Sequence, residues 1–208
     1  MSVVLCAAGF LLWFAAVEGV TRRLRVAREA SRKFVHLTSG LGAAAMPLVL
    51  TFHEIVGLGI LFATVLGVSQ RFGILRSVHE VDRATWGEVC LPLGVAATAA
   101  IAPQPAAYAC SVATVAISDV AACLAGQRLG TTPRSLPGGT KTVAGSAAFL
   151  AAALAIGLVS LAVLPGAPLS LARLLMAGAL TTLVEALAPR GLDNVAIPVT
   201  AAAVLVAW

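Results

Sequence analysis

Eight apolar runs with few charges take up most of this 208-residue chain, and they constrain its fold more than any other feature. The runs cover residues 2–20, 36–52, 54–70, 88–103, 105–125, 143–164, 169–188 and 195–208. Hydrophobic residues make up 60% of the sequence and charged residues 11%, whereas a globular protein must cover itself with polar groups. We therefore expect an all-α, polytopic integral membrane protein, a single domain over residues 1–208 with about 7–8 transmembrane helices.

The basic residues predict how these helices are oriented. If the N-terminus lies outside, the inward-facing segments are 21–35, 71–87, 126–142 and 189–194. These segments contain thirteen of the 14 Lys and Arg residues, and only Arg173 falls elsewhere. The positive-inside rule favours this orientation. We expect the N-terminus outside and the chain in a bacterial-type inner (cytoplasmic) membrane.

The acidic residues fall on the same side as the basic ones. Of the nine Asp and Glu residues, only Glu54 is expected at the outer face. Basic loops beside anionic lipid are ordinary, but acidic side chains gain nothing there. Mixed clusters suit a polyanion bound by Arg and Lys together with a divalent cation bound by carboxylates. We expect an active site at the cytoplasmic face.

Asp119 is the single charged residue in the apolar run over 105–125. A carboxylate within a membrane span costs about 2.5–3.5 kcal/mol on insertion scales. It could pair with a neighbouring helix in a packing seam of small residues. Because an ionisable residue inside a membrane is usually functional, Asp119 is the first candidate for a site.

A glycine-rich segment follows, 126-GQRLGTTPRSLPGGTKTVAGS-146. Its glycines, Gly130 and Gly139 among them, allow backbone N–H groups to approach a phosphate closely, and Arg128 and Lys141 add positive charge. The pattern is not a P-loop, and glycine-rich loops also connect helices without binding anything. Phosphate binding and a plain connection both remain open for this segment.

Basic residues and a histidine stand together in 32-RKFVH-36. Arg32 and His36 are four residues apart and share a helix face. Arg32 and Lys33 at a boundary also serve as topology signals, but topology needs no histidine. His36 therefore favours a functional interpretation.

Carboxylates recur in two further segments. The stretch 184-VEALAPRGLDNVAIP-198 contains Glu185, Asp193 and Asn194, which suit either helix capping or a Mg²⁺ site. The loop 80-EVDRATWGE-88 contains Glu80, Arg83 and Glu88. A solvated turn explains that loop well, so these three are secondary candidates.

The order of these motifs resembles the polyprenol kinase family, which includes dolichol kinases, phytol kinases and CTP-dependent diacylglycerol kinases. The resemblance runs from Arg32 to Pro198 through RKFVH, the acid–Arg–Gly–Glu loop, SDVAACLAGQRLG…GGTKTVAGS and VE…LDNVAIP. It implies a multi-span enzyme that transfers the γ-phosphoryl group of CTP to a lipid hydroxyl, giving a lipid monophosphate and CDP.

The family's motifs fall on specific positions of this chain. The G-D-x-x-A-x-x-x-G motif falls on Ser118, Asp119, Ala122 or Ala121, and Gly126; K-[TS]-x-x-G-[ST] on Lys141, Thr142, Gly145 and Ser146; and the late Glu and D-N-x-x-x-P on Glu185, Asp193, Asn194 and Pro198. Two departures stand out. Ser118 replaces the usual Gly, and Leu192 replaces a second Asp that often precedes Asp-Asn, which leaves more of the metal binding to Asp119 and Asp193.

Phosphoryl transfer requires a protein mainly to position the reactants and to offset the charge of the phosphates. The resemblance implies which residues would do this. Mg²⁺ or another divalent cation would be held by Asp119, Glu185, Asp193 and Asn194. The phosphates of CTP would be bound by Arg32, Lys33, Arg128, Gly130, Gly139, Lys141, Thr142, Gly145 and Ser146. His36, Asp119 or Asp193 would accept the hydroxyl proton, and the sequence does not distinguish among them.

The expected partners are a lipid alcohol such as phytol, geranylgeraniol, dolichol or diacylglycerol, a nucleoside triphosphate and the bilayer itself. Nucleic acid is not expected, and a homodimer is compatible with the sequence. Two other functions remain open. One is a phosphatidate cytidylyltransferase-like synthase of CDP-lipids, and the other is a small cation- or proton-coupled transporter.

Overall fold

The computed structural model describes residues 2–72, 86–164, 169–189 and 191–207, and helices account for most of them. The helices within these ranges are α1 (Ser2–Leu24), α2 (Arg28–Ala44), α3 (Phe52–Phe72), α4 (Gly87–Ile101), α5 (Pro105–Leu129), α6 (Val143–Val163), α7 (Leu171–Leu187) and α8 (Asp193–Val206). A 3₁₀ turn covers Met46–Leu48, and an antiparallel hairpin of β1 (Arg134–Leu136) and β2 (Gly139–Lys141) joins α5 to α6. The expected helical architecture is confirmed, with this hairpin as a small exception.

Within the described residues, four stretches of helix are long and apolar enough to cross a membrane: Ser2–Thr21, Phe52–Phe72, Pro105–Leu129 and Val143–Val163. Helices α4 and α8 are apolar but shorter. Several apolar helices are thus compatible with a membrane protein. The expected count of 7–8 spans and the expected orientation stay predictions.

The predicted second helix, over 36–52, was wrong at both ends. Helix α2 begins at Arg28 and ends at Ala44. The apolar run starts only after the last charged residue, whereas α2 begins earlier and includes Glu29, Arg32 and Lys33, which line a polar cavity. At the other end Pro47 lies in the 3₁₀ turn, where its missing N–H ends regular helix. The segment 32-RKFVH-36 therefore lies inside a helix and not before one.

Helix α5 forms the centre of the described structure and packs against α2, α6 and α8. Small residues allow these contacts to be close, as is usual between membrane helices. At Gly40 of α2 an added Cβ would lie 2.5 Å from the Cβ of Ala116 in α5. The buried side chains of Val115, Phe149 and Ile197 fill the space around α5 on its other sides. The position of α2 beside α5 is thus fixed by a contact that admits no larger residue.

Helices α4 and α8 meet backbone to backbone near the start of α8. Pro198 lacks the N–H that would bond to the carbonyl of Asn194 within the helix. Gly94 of α4 packs against that same oxygen, which would lie 2.2 Å from an added Cβ. This close approach sets the position of Asn194.

Gly94→Ala is expected to destabilise the protein because the methyl group would overlap a backbone atom that cannot rotate away. Overpacking of this kind costs about 1–3 kcal/mol. Thermal unfolding in detergent, followed by size-exclusion chromatography, would measure the effect. Gly57→Ala is the matched control, since nothing lies within 4 Å of its added Cβ. Equal melting temperatures for the two variants would contradict the close approach.

Candidate functional site

A polar cavity of about 1370 Å³ lies among the N-terminal ends of α2, α6 and α8, the last turns of α5 and α7, and the hairpin. Most of the site residues predicted from the sequence line it. They are Arg32, Lys33, His36, Asp119, Gly130, Gly139, Lys141, Thr142, Gly145, Ser146, Glu185, Asp193 and Asn194. Residues that are distant in sequence are therefore brought together around one space.

Four predicted residues are not placed in this cavity by the described structure. Arg128 is exposed in the last turn of α5 and is not among the lining residues, whereas its neighbour Gln127 is. Adjacent residues on a helix point in different directions, and this separates the two. The secondary candidates Glu80 and Arg83 lie outside the described residues. The third secondary candidate, Glu88, lines a different cavity, which is described below.

Asp119 forms an ion pair with Lys33. Both side chains are largely buried, at 18% and 16% exposure, so the pair joins α5 to α2 in a poorly hydrated place. His36 Nε2 lies 3.9 Å from Oδ2 of Asp119 and 3.3 Å from the carbonyl oxygen of Val115. The acid is thus paired with a neighbouring helix, and the pair also faces the cavity.

A second ion pair joins Lys141 at the end of β2 to Glu185 in α7. The Glu185 side chain is 4% exposed, and its Oε2 atom has no hydrogen-bond partner among the described residues. The turn 137-PGG-139 brings Lys141 there, because Gly139 adopts φ = 107° and the Gly138 N–H donates to the Ala186 carbonyl at 3.1 Å. The glycine-rich segment is therefore a hairpin docked on α7.

Helix α6 begins at the cavity with a capped N-terminus. The Thr142 hydroxyl accepts a hydrogen bond from the Gly145 N–H at 3.1 Å. Thr142, Gly145 and Ser146 all line the cavity. Because helix N-termini present unpaired N–H groups and partial positive charge, three of them around one space favour an anionic ligand.

Asn194 fastens the start of α8 to the start of α4. Its Nδ2 atom donates to the carbonyl oxygen of Gly87 at 2.8 Å. Asp193 lines the same cavity as Asp119, and the negative charges of the two carboxylates repel. Leu192, which stands where the resembling family often has another Asp, is also at the cavity wall.

Sequence reasoning missed Glu29 as a cavity residue. Its carboxylate accepts two hydrogen bonds from Arg32, at 2.8 and 3.2 Å. These bonds lower the pKa of Glu29 below its ordinary value and orient the guanidinium of Arg32. The three-residue spacing of Glu29 and Arg32 was a usable signal, since such residues are neighbours on a helix.

A second, apolar cavity lies among α1, α2, α3 and α4. It shares four wall residues with the polar cavity: Arg32, His36, Gly87 and Asn194. Phe10, Phe14 and Phe62 form part of its wall, with ring centroids 5.9–6.3 Å apart. Glu18 and Glu88 also line it. The two cavities meet at His36, where a charged space adjoins a hydrocarbon-like one.

The residues present fit a divalent cation that arrives with a phosphate ligand. Across the described ranges, no three His, Cys, Asp or Glu side chains come close enough to hold a metal by themselves. Mg²⁺ at nucleotide sites needs only one or two carboxylates, with water and phosphate oxygens as its other ligands. Asp119 and Asp193 repel each other across one cavity, and Glu185 has an oxygen left over. The metal set of Asp119, Glu185, Asp193 and Asn194 stays a prediction.

Comparison with known proteins does not identify the function of this chain. No protein-family model matches the chain, and no curated protein or solved structure matches it either.

The Lys33–Asp119 pair is expected to stabilise the fold as a unit. Asp119→Asn and Lys33→Met should each lower the melting temperature in detergent, because each leaves its partner buried and unpaired; breaking a buried pair costs about 3–5 kcal/mol. The double variant should lose less than the sum, with a coupling of about 0.5–3 kcal/mol.

Glu29→Gln is the control for this cycle. Its pair with Arg32 is more exposed, so its loss should cost no more than about 1 kcal/mol. Additive effects of Asp119→Asn and Lys33→Met would show that the two side chains do not interact.

Proposed function

We propose that the protein is a CTP-dependent lipid-alcohol kinase that phosphorylates the hydroxyl of a membrane prenol. The observation that carries the proposal is the junction of the two cavities at Arg32, His36, Gly87 and Asn194. A nucleotide requires a large polar space, and a lipid alcohol requires an apolar space that ends beside it. The choice of CTP comes from the resemblance to polyprenol kinases.

The polar cavity suits the triphosphate. Lys33, Lys141 and Arg32 line it, and the N-terminus of α6 opens onto it at Thr142, Gly145 and Ser146. Positive charges and backbone N–H groups stabilise the charge that spreads over the transferred phosphoryl group. Asp119 and Asp193 would hold Mg²⁺, which neutralises phosphate charge when bound.

The reaction is an in-line displacement at the γ-phosphorus. A bond forms between the lipid hydroxyl oxygen and the γ-phosphorus, the bond to the β–γ bridging oxygen breaks, and CDP leaves with that oxygen. The hydroxyl proton passes to a base. Of His36, Asp119 and Asp193, only His36 lines both cavities. A carbonyl oxygen accepts only, so the contact with Val115 favours the tautomer with Nε2–H and leaves Nδ1 as the proton acceptor.

We further propose that this site faces the cytoplasm of a bacterial-type inner membrane. The distribution of Lys and Arg supports this orientation. Nucleoside triphosphates are supplied from the cytoplasm, which is consistent with the same face.

Product analysis tests the proposal. Purified protein in detergent would receive CTP, Mg²⁺ and a panel of prenols, polyprenols and diacylglycerol. CDP and a lipid monophosphate are expected, and chelation of the divalent cation should abolish both. Pyrophosphate as the product would indicate a cytidylyltransferase. An absence of nucleotide turnover with every acceptor would overturn the kinase and favour a transporter.

Lys141→Ala is expected to lower kcat/KM by about 10²-fold or more, because it removes a charge directed at the phosphates. Arg128→Ala is the matched control: it removes the same charge from the same segment, outside the cavity. Initial rates of CDP release would measure both. Equal losses in the two variants would mean that the polar cavity does not bind the nucleotide.

His36→Gln is expected to reduce kcat by about 10²–10⁴-fold, the usual contribution of a positioned base, with a smaller effect on the KM for CTP. His53→Gln is the control, since His53 lies in the first turn of α3 and lines neither cavity. Full activity of His36→Gln would assign the proton to Asp119 or Asp193 instead.

A further inference from the structure

Trp86 is an exposed aromatic residue on the wall of the polar cavity. It is 58% exposed, and no other Phe, Tyr or Trp among the described residues lines that cavity. Within the described ranges, its indole makes no ring contact and no hydrogen bond. A large aromatic surface is therefore left open at a space whose other walls are mainly polar, charged or made of small residues.

The backbone that carries this ring is held in place from two sides. The Trp86 carbonyl accepts a hydrogen bond from the Cys90 N–H at 2.8 Å in the first turn of α4. A Cβ added to Gly191 would lie 3.2 Å from the Trp86 carbonyl carbon and 2.4 Å from the Gly87 nitrogen. The Gly87 carbonyl in turn accepts a hydrogen bond from Asn194. The indole therefore projects from a fixed backbone, so that a ligand on its face would have only two side-chain dihedrals to order.

The polar cavity has room for a whole nucleotide as well as its phosphates. Pockets for drug-sized ligands measure about 300–1,000 Å³, and this cavity measures about 1370 Å³. Lys141 lies on the hairpin beside α6, which packs mainly against α5 and α7, whereas Trp86 precedes α4, which packs mainly against α3 and α8. The aromatic surface and the candidate phosphate ligands thus lie on different walls, as the base and the triphosphate of one nucleotide would require.

We propose that Trp86 forms a nucleobase subsite, in which the base of the nucleotide stacks on the indole ring. The inference rests on the proposed function, because it takes the phosphates to lie at Lys141 and the start of α6. Every base has a π-face, so the subsite favours a nucleotide over a base-free polyphosphate without choosing among bases. A tryptophan that anchors a helix at the membrane surface would lie against lipid headgroups. The charged wall that Trp86 shares with Lys33 and Asp119 favours a polar ligand with an aromatic part instead.

Trp86→Leu is expected to weaken CTP binding about 5–150-fold, the usual loss when a stacking aromatic residue is removed, and to leave the binding of inorganic tripolyphosphate unchanged. Trp86→Phe keeps a ring and should keep most of the affinity for CTP. Isothermal titration calorimetry on the purified protein in detergent with Mg²⁺ would measure both ligands. Trp13→Leu is the matched control, since Trp13 lies in α1 and lines neither cavity. A parallel loss of both ligands in Trp86→Leu, or no loss of either, would overturn the subsite.

The wild-type protein offers a second measurement that does not require a variant to fold. The chain has three tryptophans, and a base stacked on Trp86 should quench part of their fluorescence, whereas tripolyphosphate should not. Quenching by CTP without phosphoryl transfer to any lipid alcohol would refute the kinase and support the subsite. Phosphoryl transfer from CTP without quenching, and with an unchanged KM for CTP in Trp86→Leu, would support the kinase and overturn the subsite.

Discussion

The ion pair between Lys33 and Asp119 is the contact on which the arrangement of the site depends. It joins two helices that are 86 residues apart at this point, and it compensates a carboxylate in a place where an unpaired charge would be costly. Because Lys33 and His36 lie within one turn of α2, the pair also determines where His36 stands relative to Val115. The wall between the two cavities is therefore built around a charge in the middle of α5.

The opposite wall is held by backbone contacts. Gly94 packs on the Asn194 carbonyl, and the Asn194 side chain bonds to Gly87. Gly191 adopts φ = 89° with its Cα close against Gly87, so a larger residue there would collide as well as strain. The amide nitrogen of Asn194 is used in this structural contact, and the residue also lines both cavities. Close packing thus fixes a residue that is also a candidate for the site.

The sequence predicts the helices well because the long apolar runs that lipid requires also mark the helices. It fails at α2, where the helix has one polar side and the apolar run starts too late.

Clusters of mixed charge point to the right residues for the polar cavity, since mixed charge beside apolar runs is unusual. The pairing could not be predicted, because nothing in the sequence matches Lys33 to Asp119 and Lys141 to Glu185. Arg128 shares a segment with Lys141, which predicts a place in the same cavity, but Arg128 does not line it. The apolar cavity has no sequence signal, since its walls are made of the same residues as any membrane helix.

The proposed binding of a polyphosphate requires cations as well, because of the charges around the polar cavity. Of the described residues at its wall, three are basic (Arg32, Lys33, Lys141) and four are acidic (Glu29, Asp119, Glu185, Asp193). With a neutral histidine the wall has a formal charge of minus one, which alone would repel a triphosphate. Each lysine is held by a carboxylate, so a lysine that turns to a phosphate oxygen leaves a carboxylate for a divalent cation. The lysine would exchange its carboxylate for a phosphate oxygen, and the carboxylate would exchange its lysine for the cation. Each buried charge would therefore keep a partner of opposite charge throughout. For the proposed kinase, two lysine–carboxylate pairs facing one cavity would thus be a resting form from which a nucleotide and its cation bind together.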